Sequence, residues 1–151
     1  QKEFWRLIDS YGERLKFVHM APPCGTSSRA LDIRRKNKDG SPAAWDPKPK
    51  RSEAFPDGLP ELRGVDLSRV TSANRLYAFC VEIAVELTRR KIAWSIENPS
   101  NSYMWFTSFF QKLKKLKEDG VVPYSRVTMQ MCMHGGDRPK YSDEVYWGID
   151  L

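Results

Sequence analysis

Leu15-Lys16-Phe17-Val18-His19-Met20-Ala21-Pro22-Pro23-Cys24 sets a run of strand-forming residues against an abrupt stop. Two consecutive prolines fix φ and remove two backbone donors, so the strand ends there and its continuation leaves stiffly. The thiol of Cys24 is thereby projected at a strand mouth, a place for chemistry rather than packing. The pattern recurs at Ile92-Ala93-Trp94-Ser95-Ile96-Glu97-Asn98-Pro99, where β-formers run into an acid and a proline closes the strand. In an open α/β sheet, ligands sit beyond the carboxyl ends of the strands, so the two motifs are expected to face one crevice.

Working outward, Phe4, Leu7, Ile8 and Tyr11 fall at helical spacing between Lys2 and Arg14, and Gly12 is the expected stop. A strand then covers Lys16 to Met20. Periodicity disappears over residues 31–64, which hold Arg34-Arg35-Lys36, Lys48-Pro49-Lys50-Arg51 and five prolines, the composition of a long basic loop. The longest helix is expected from Leu67 to Arg90 with Leu76, Cys80, Ile83, Ala84 and Leu87 inward, followed by a strand from Ile92 to Ile96. A third helix, Thr107 to Glu118, turns Phe109, Phe110, Leu113 and Leu116 inward and ends at Gly120. Val127 to Cys132 and Val145 to Ile149 read as further strands. The expectation is one α/β domain over residues 1–151, Rossmann-like, with a mainly parallel sheet of about four strands and helices packed on it.

A chain of 151 residues suits one domain, since a domain of that size buries roughly 68–70% of its unfolded surface. Charged residues make up 29% and the net charge is +6, which points to a polyanionic partner such as nucleic acid. No stretch approaches the roughly 20 apolar residues of a membrane span. Gln1 is neither an initiator methionine nor the start of a signal peptide, so the chain reads as a piece of something longer. Three scattered cysteines do not form a disulfide framework and favour a reducing compartment, nuclear or cytoplasmic. His19 with Cys24 and Cys132 with His134 lack the paired spacings of a zinc site, and no metal is assigned.

The Pro-Pro-Cys and Glu-Asn-Pro motifs, in this order, resemble the DNA cytosine-5 methyltransferases. The resemblance implies a methyltransferase-type sheet, Cys24 as nucleophile in a loop with Pro23, and Glu97 as the base-binding acid beside Asn98. In that chemistry a thiolate adds to pyrimidine C6 once N3 is protonated or hydrogen-bonded by the acid, and C5 becomes nucleophilic enough to take a methyl group. After the strand Val127 to Cys132, Met133-His134-Gly135-Gly136-Asp137-Arg138-Pro139-Lys140 is similar to a segment with two alternate arginines. Arg138 matches the first, which helps hold the base, and Lys140 the second. Ser27, Ser28 and Arg29 are candidate phosphate contacts, and Arg34, Arg35 and Lys36 lie in a mobile basic segment suited to a flipped base. The rival amino-methyltransferases begin this motif with a polar residue and end it in an aromatic, neither of which Ala21-Pro22-Pro23-Cys24 supplies. DNA as partner and S-adenosylmethionine as cofactor are implied by the resemblance. It covers the catalytic half, Phe17 to Ile149; no Gly-x-Gly follows a strand. Similar motif pairs are familiar from mobile-element polyproteins. Two alternatives stay open: a binding module for nucleic acid or protein that kept the fold without the activity, and another cysteine-dependent enzyme acting on a pyrimidine or nucleotide.

Overall fold

The computed structural model describes residues 2–44, 46, 48–130 and 140–149. In chain order these form α1 (Lys2–Tyr11), β1 (Phe17–Met20), α2 (Gly64–Arg89), β2 (Ala93–Pro99), α3 (Ser108–Glu118), β3 (Ser125–Gln130) and β4 (Tyr141–Trp147), with single 3-10 turns at Gly12–Arg14, Arg29–Leu31 and Tyr103–Phe106. The described strands make one open sheet in the order β1-β2-β4-β3. No described helix is long and apolar enough to cross a membrane.

The sheet is α/β in class but mixed, not mainly parallel. β1 and β2 pair in parallel, with Phe17 opposite Ala93 and Met20 opposite Ile96. β4 runs antiparallel to both its neighbours. The reason lies in the connections. The 26-residue α2 spans the return that a parallel pair needs, whereas the stretch between Gln130 and Tyr141 is shorter than the roughly one dozen residues of a crossover. The chain therefore folds straight back, and β4 inserts between β2 and β3. One consequence positions everything that follows: β1, β2 and β3 point the same way, and their carboxyl ends meet the start of β4 along one edge of the sheet.

The core lies between that sheet and α2 with α3. Val70, Ala73, Tyr77, Cys80, Ala84 and Leu87 form the buried stripe of α2, recurring every three or four residues. Leu76, expected inward, is 45% exposed, because it sits one residue off that stripe and Tyr77 takes the inward position with no exposure. Trp94, Ile96 and Val145 meet the helices from the sheet, and Phe110 and Leu113 meet them from α3. Each such fully buried apolar side chain contributes about 1.5–3 kcal/mol. The Trp94 indole N–H donates to Thr88 Oγ1 at 2.8 Å, so its burial leaves no donor orphaned. α1 packs through Phe4 and Trp5 edge-on to Phe79, and Arg90 joins it to α2 by bonding Asp9 and Glu86 at 2.5 and 2.6 Å.

β4 starts earlier than its apolar run announces. Ser142, Asp143 and Glu144 are poor strand formers, yet they pair with Pro99, Asn98 and Glu97.

Candidate active site

The Pro-Pro-Cys loop is held at almost every carbonyl. Asn98 Nδ2 donates to Pro22 O at 2.8 Å, which ties the two sequence motifs together across the edge of the sheet. The Tyr77 hydroxyl donates to Pro23 O at 2.9 Å and lies 2.9 Å from Ser27 Oγ. Cys24 O accepts the backbone N–H groups of Ser27 and Ser28 at 2.9 and 2.8 Å. Ser102 Oγ donates to Ser27 Oγ at 2.9 Å, and Tyr103 N donates to Ser27 O at 2.8 Å. Such a buried network favours one conformation, with Asn98 Oδ1 left as a buried acceptor without a partner among the described residues.

Cys24 is partly exposed and faces a cleft of about 660 Å³ beyond the carboxyl ends of the strands. Ser28, Arg29 and Ile33 continue its wall from the loop after β1; Pro99, Ser100 and Asn101 supply the wall after β2. Thr128, Lys140 and Tyr141 close it from β3 and β4. Glu97 reaches the site through Lys140, whose Nζ bonds Glu97 Oε1 at 3.4 Å. Behind them Asp143, 3% exposed, accepts from Thr128 Oγ1 at 2.7 Å and from Arg126.

Both cations lining the cleft are already matched to carboxylates. Arg29 bonds Glu53 at 2.8 Å and stacks over the Tyr103 ring at 4.7 Å, and Lys140 is held by Glu97. A pocket so balanced suits a neutral ring with polar edges better than a bare phosphate.

The candidates from the sequence do not all meet at the cleft. Cys24, Ser28, Arg29 and Lys140 line the cleft, with Glu97 one contact behind. Ser27 and Asn98, expected to touch substrate or phosphate, are 0% and 1% exposed and hold the loop from inside, so neither can reach a ligand. Pro23 turns away from the cleft to a second groove of about 630 Å³ shared with the first turns of α2. Arg34, Arg35 and Lys36 follow Ile33 along the exposed surface, Arg34 paired with Asp46 at 3.3 Å. Arg138 lies outside the described residues.

The long basic segment holds a further surprise. Arg51, expected as a loop charge, is 1% exposed. It donates to Thr26 O at 3.2 Å, Thr26 Oγ1 at 3.1 Å and Pro56 O at 2.7 Å, and its guanidinium lies 5.4 Å from the Tyr77 ring centroid. Burial lowers its pKa from the ordinary arginine value. Its neighbour Lys50 pairs with Asp66 at 2.8 Å in the first turn of α2. Sequence offered no sign of this, because Thr26 and Pro56 show nothing of a guanidinium between them until the chain is folded.

The second groove beside the Cys24 loop does not suit S-adenosylmethionine. Gly25, Val65, Ser68, Arg69, Ala73 and Leu76 line most of it, and no carboxylate among the described residues faces it to hold a ribose diol. No group of three or more His, Cys, Asp or Glu side chains converges as a metal site among the described residues. No protein-family model, curated protein or solved structure matches this chain.

Proposed function

We propose that the chain is the base-handling half of a cytosine-5 methyltransferase-like module, acting on a pyrimidine base of DNA by thiolate addition at C6. The observation that carries the reading is the Asn98 to Pro22 hydrogen bond of 2.8 Å, which joins the Pro-Pro-Cys and Glu-Asn-Pro motifs at one sheet edge. Three strands of common direction, opening on that edge, support a methyltransferase-type, Rossmann-like descent. A nuclear or cytoplasmic setting, where nucleic acid is met, goes with this reading.

The chemistry asked of these residues is limited and balanced. The Cys24 thiolate supplies the electron pair of a new S–C6 bond, the C5=C6 pair moves toward C5, and N3 takes a proton from the Glu97 carboxyl, which for this step lets go of Lys140, takes up a proton and turns into the cleft. C5 then takes a proton from water. The hydroxide left behind takes the original C5 hydrogen as a proton, N3 returns its proton to the Glu97 carboxylate, and C5=C6 re-forms as the thiolate leaves. No step here runs through the methyl donor.

The net result without a donor is exchange of the C5 hydrogen with solvent, so the test is release of tritium from an oligonucleotide carrying [5-³H]cytosine. Release is expected from the wild-type chain and none from Cys24→Ser. Release that persists in Cys24→Ser removes the thiol from the mechanism. Binding without release from the wild type favours the second reading, a nucleic-acid-binding module without activity, which the unsuited second groove makes the natural rival.

A further inference from the structure

We infer that Arg51 is a positioning residue for Cys24, and that the 48–56 part of the basic segment serves the site as a strap delivering a buried guanidinium to the nucleophile loop. The inference rests on Cys24 as the reacting group. Arg51 meets the loop on both flanks of the thiol: directly at Thr26, two residues after it, and through the Tyr77 ring, whose hydroxyl donates to Pro23 O, one residue before it. A third bond goes to Pro56 O, within its own segment. The planar fork of arginine spans these acceptors at once, and a lysine ammonium cannot. Burying a guanidinium is unfavourable unless its donors are bonded, so a residue 1% exposed with this set of partners marks a conformation that the fold holds firmly. Thr26 and Tyr77 tie it to the loop that carries Cys24, while Pro56 anchors it in its own segment.

The experiment compares wild type with Arg51→Lys in two measurements on the full chain. In tritium release, turnover is expected to fall about 100-fold with KM little changed, since a misplacement of about 1 Å costs that much. In hydrogen exchange, the Ser27 and Ser28 amides that bond Cys24 O are expected to lose protection while α2 and β2 keep theirs. Added guanidinium ion is expected to restore part of the turnover of Arg51→Ala. Unchanged loop protection, or protection lost evenly over the whole domain, overturns the inference. If wild type releases no tritium, the proposed reaction fails while the exchange measurement still decides the clamp. Should Arg51→Lys not fold, Tyr77→Phe keeps the ring and removes the bond to Pro23 O; it is expected to loosen the same loop to a smaller degree, and a tight loop in that variant counts against the clamp.

Discussion

Cys80 sits on the buried stripe of α2, 8% exposed, and desolvation of its thiolate pushes the thiol up to about 12. Cys24 carries the same atoms at the wall of an open cleft. Since the thiolate is the reacting form, the two should part cleanly at neutral pH. Native protein treated with iodoacetamide is expected to carry label on Cys24 and none on Cys80, read by peptide mass mapping, with Cys80 labelled only after unfolding. Label on Cys80 in the native state would mean that α2 opens readily or that its packing differs from the one described. At this scale the sequence was legible wherever covalent geometry spoke. Pro22 and Pro23 announced the stop, and the place of Cys24 after them announced its position at the cleft wall. Ser27, Asn98 and Arg51 were misread because their roles depend on burial, and burial is set by partners 25 to 76 residues away in the chain.

Helix ends show how far local rules carry at the scale of elements. α3 closes as its sequence indicates: Gly120 adopts φ +73°, its N–H bonds Lys117 O at 3.0 Å, and Val121 N bonds Leu116 O at 2.9 Å. α2 closes in the same geometry, with Lys91 N on Thr88 O at 3.1 Å and Ile92 N on Leu87 O at 2.9 Å, but the left-handed position is filled by Lys91 at φ 58°. A β-carbon there costs about 1–2 kcal/mol against glycine, partly offset by the greater freedom of glycine in the unfolded chain. Lys91→Gly is therefore expected to raise stability by about 0.5–1 kcal/mol, measured by urea denaturation with an unchanged m-value. A loss of stability would show that the Lys91 side chain contributes more than its backbone strain costs. The helices and β1 with β2 were legible from apolar spacing and stop residues. The start of β4 was not, since Ser142 to Glu144 carry no strand signal, and strand direction followed from a short connection rather than from any residue pattern.

Over the whole molecule, the +6 charge is spread rather than focused on the cleft. Arg29, Lys50, Arg90 and Lys140 are each neutralised by a neighbouring carboxylate. On the proposed reading the cleft would recognise a base, and attraction to a polyanion would fall to exposed cations outside it, where Arg34-Arg35-Lys36 begins directly after the cleft-lining Ile33. The two tasks should separate in solution. Each phosphate contact contributes about 0.9 to the slope of log K against log salt on duplex DNA and about 0.7 on single strands. Replacing Arg34, Arg35 and Lys36 together by Gln is expected to flatten that slope by roughly two to three units, even though Arg34 must first give up Asp46. Glu97→Gln, which leaves this surface intact, should keep the slope and abolish tritium release. Fluorescence anisotropy over a range of salt concentrations reads the first quantity. An unchanged slope in the triple variant would move the phosphate path elsewhere, to the lysines of α3, whose Lys114 and Lys115 make only surface pairs with Glu118 and Asp119. A slope lost together with release in Glu97→Gln would mean that base and backbone recognition share one site, against the charge balance of the cleft.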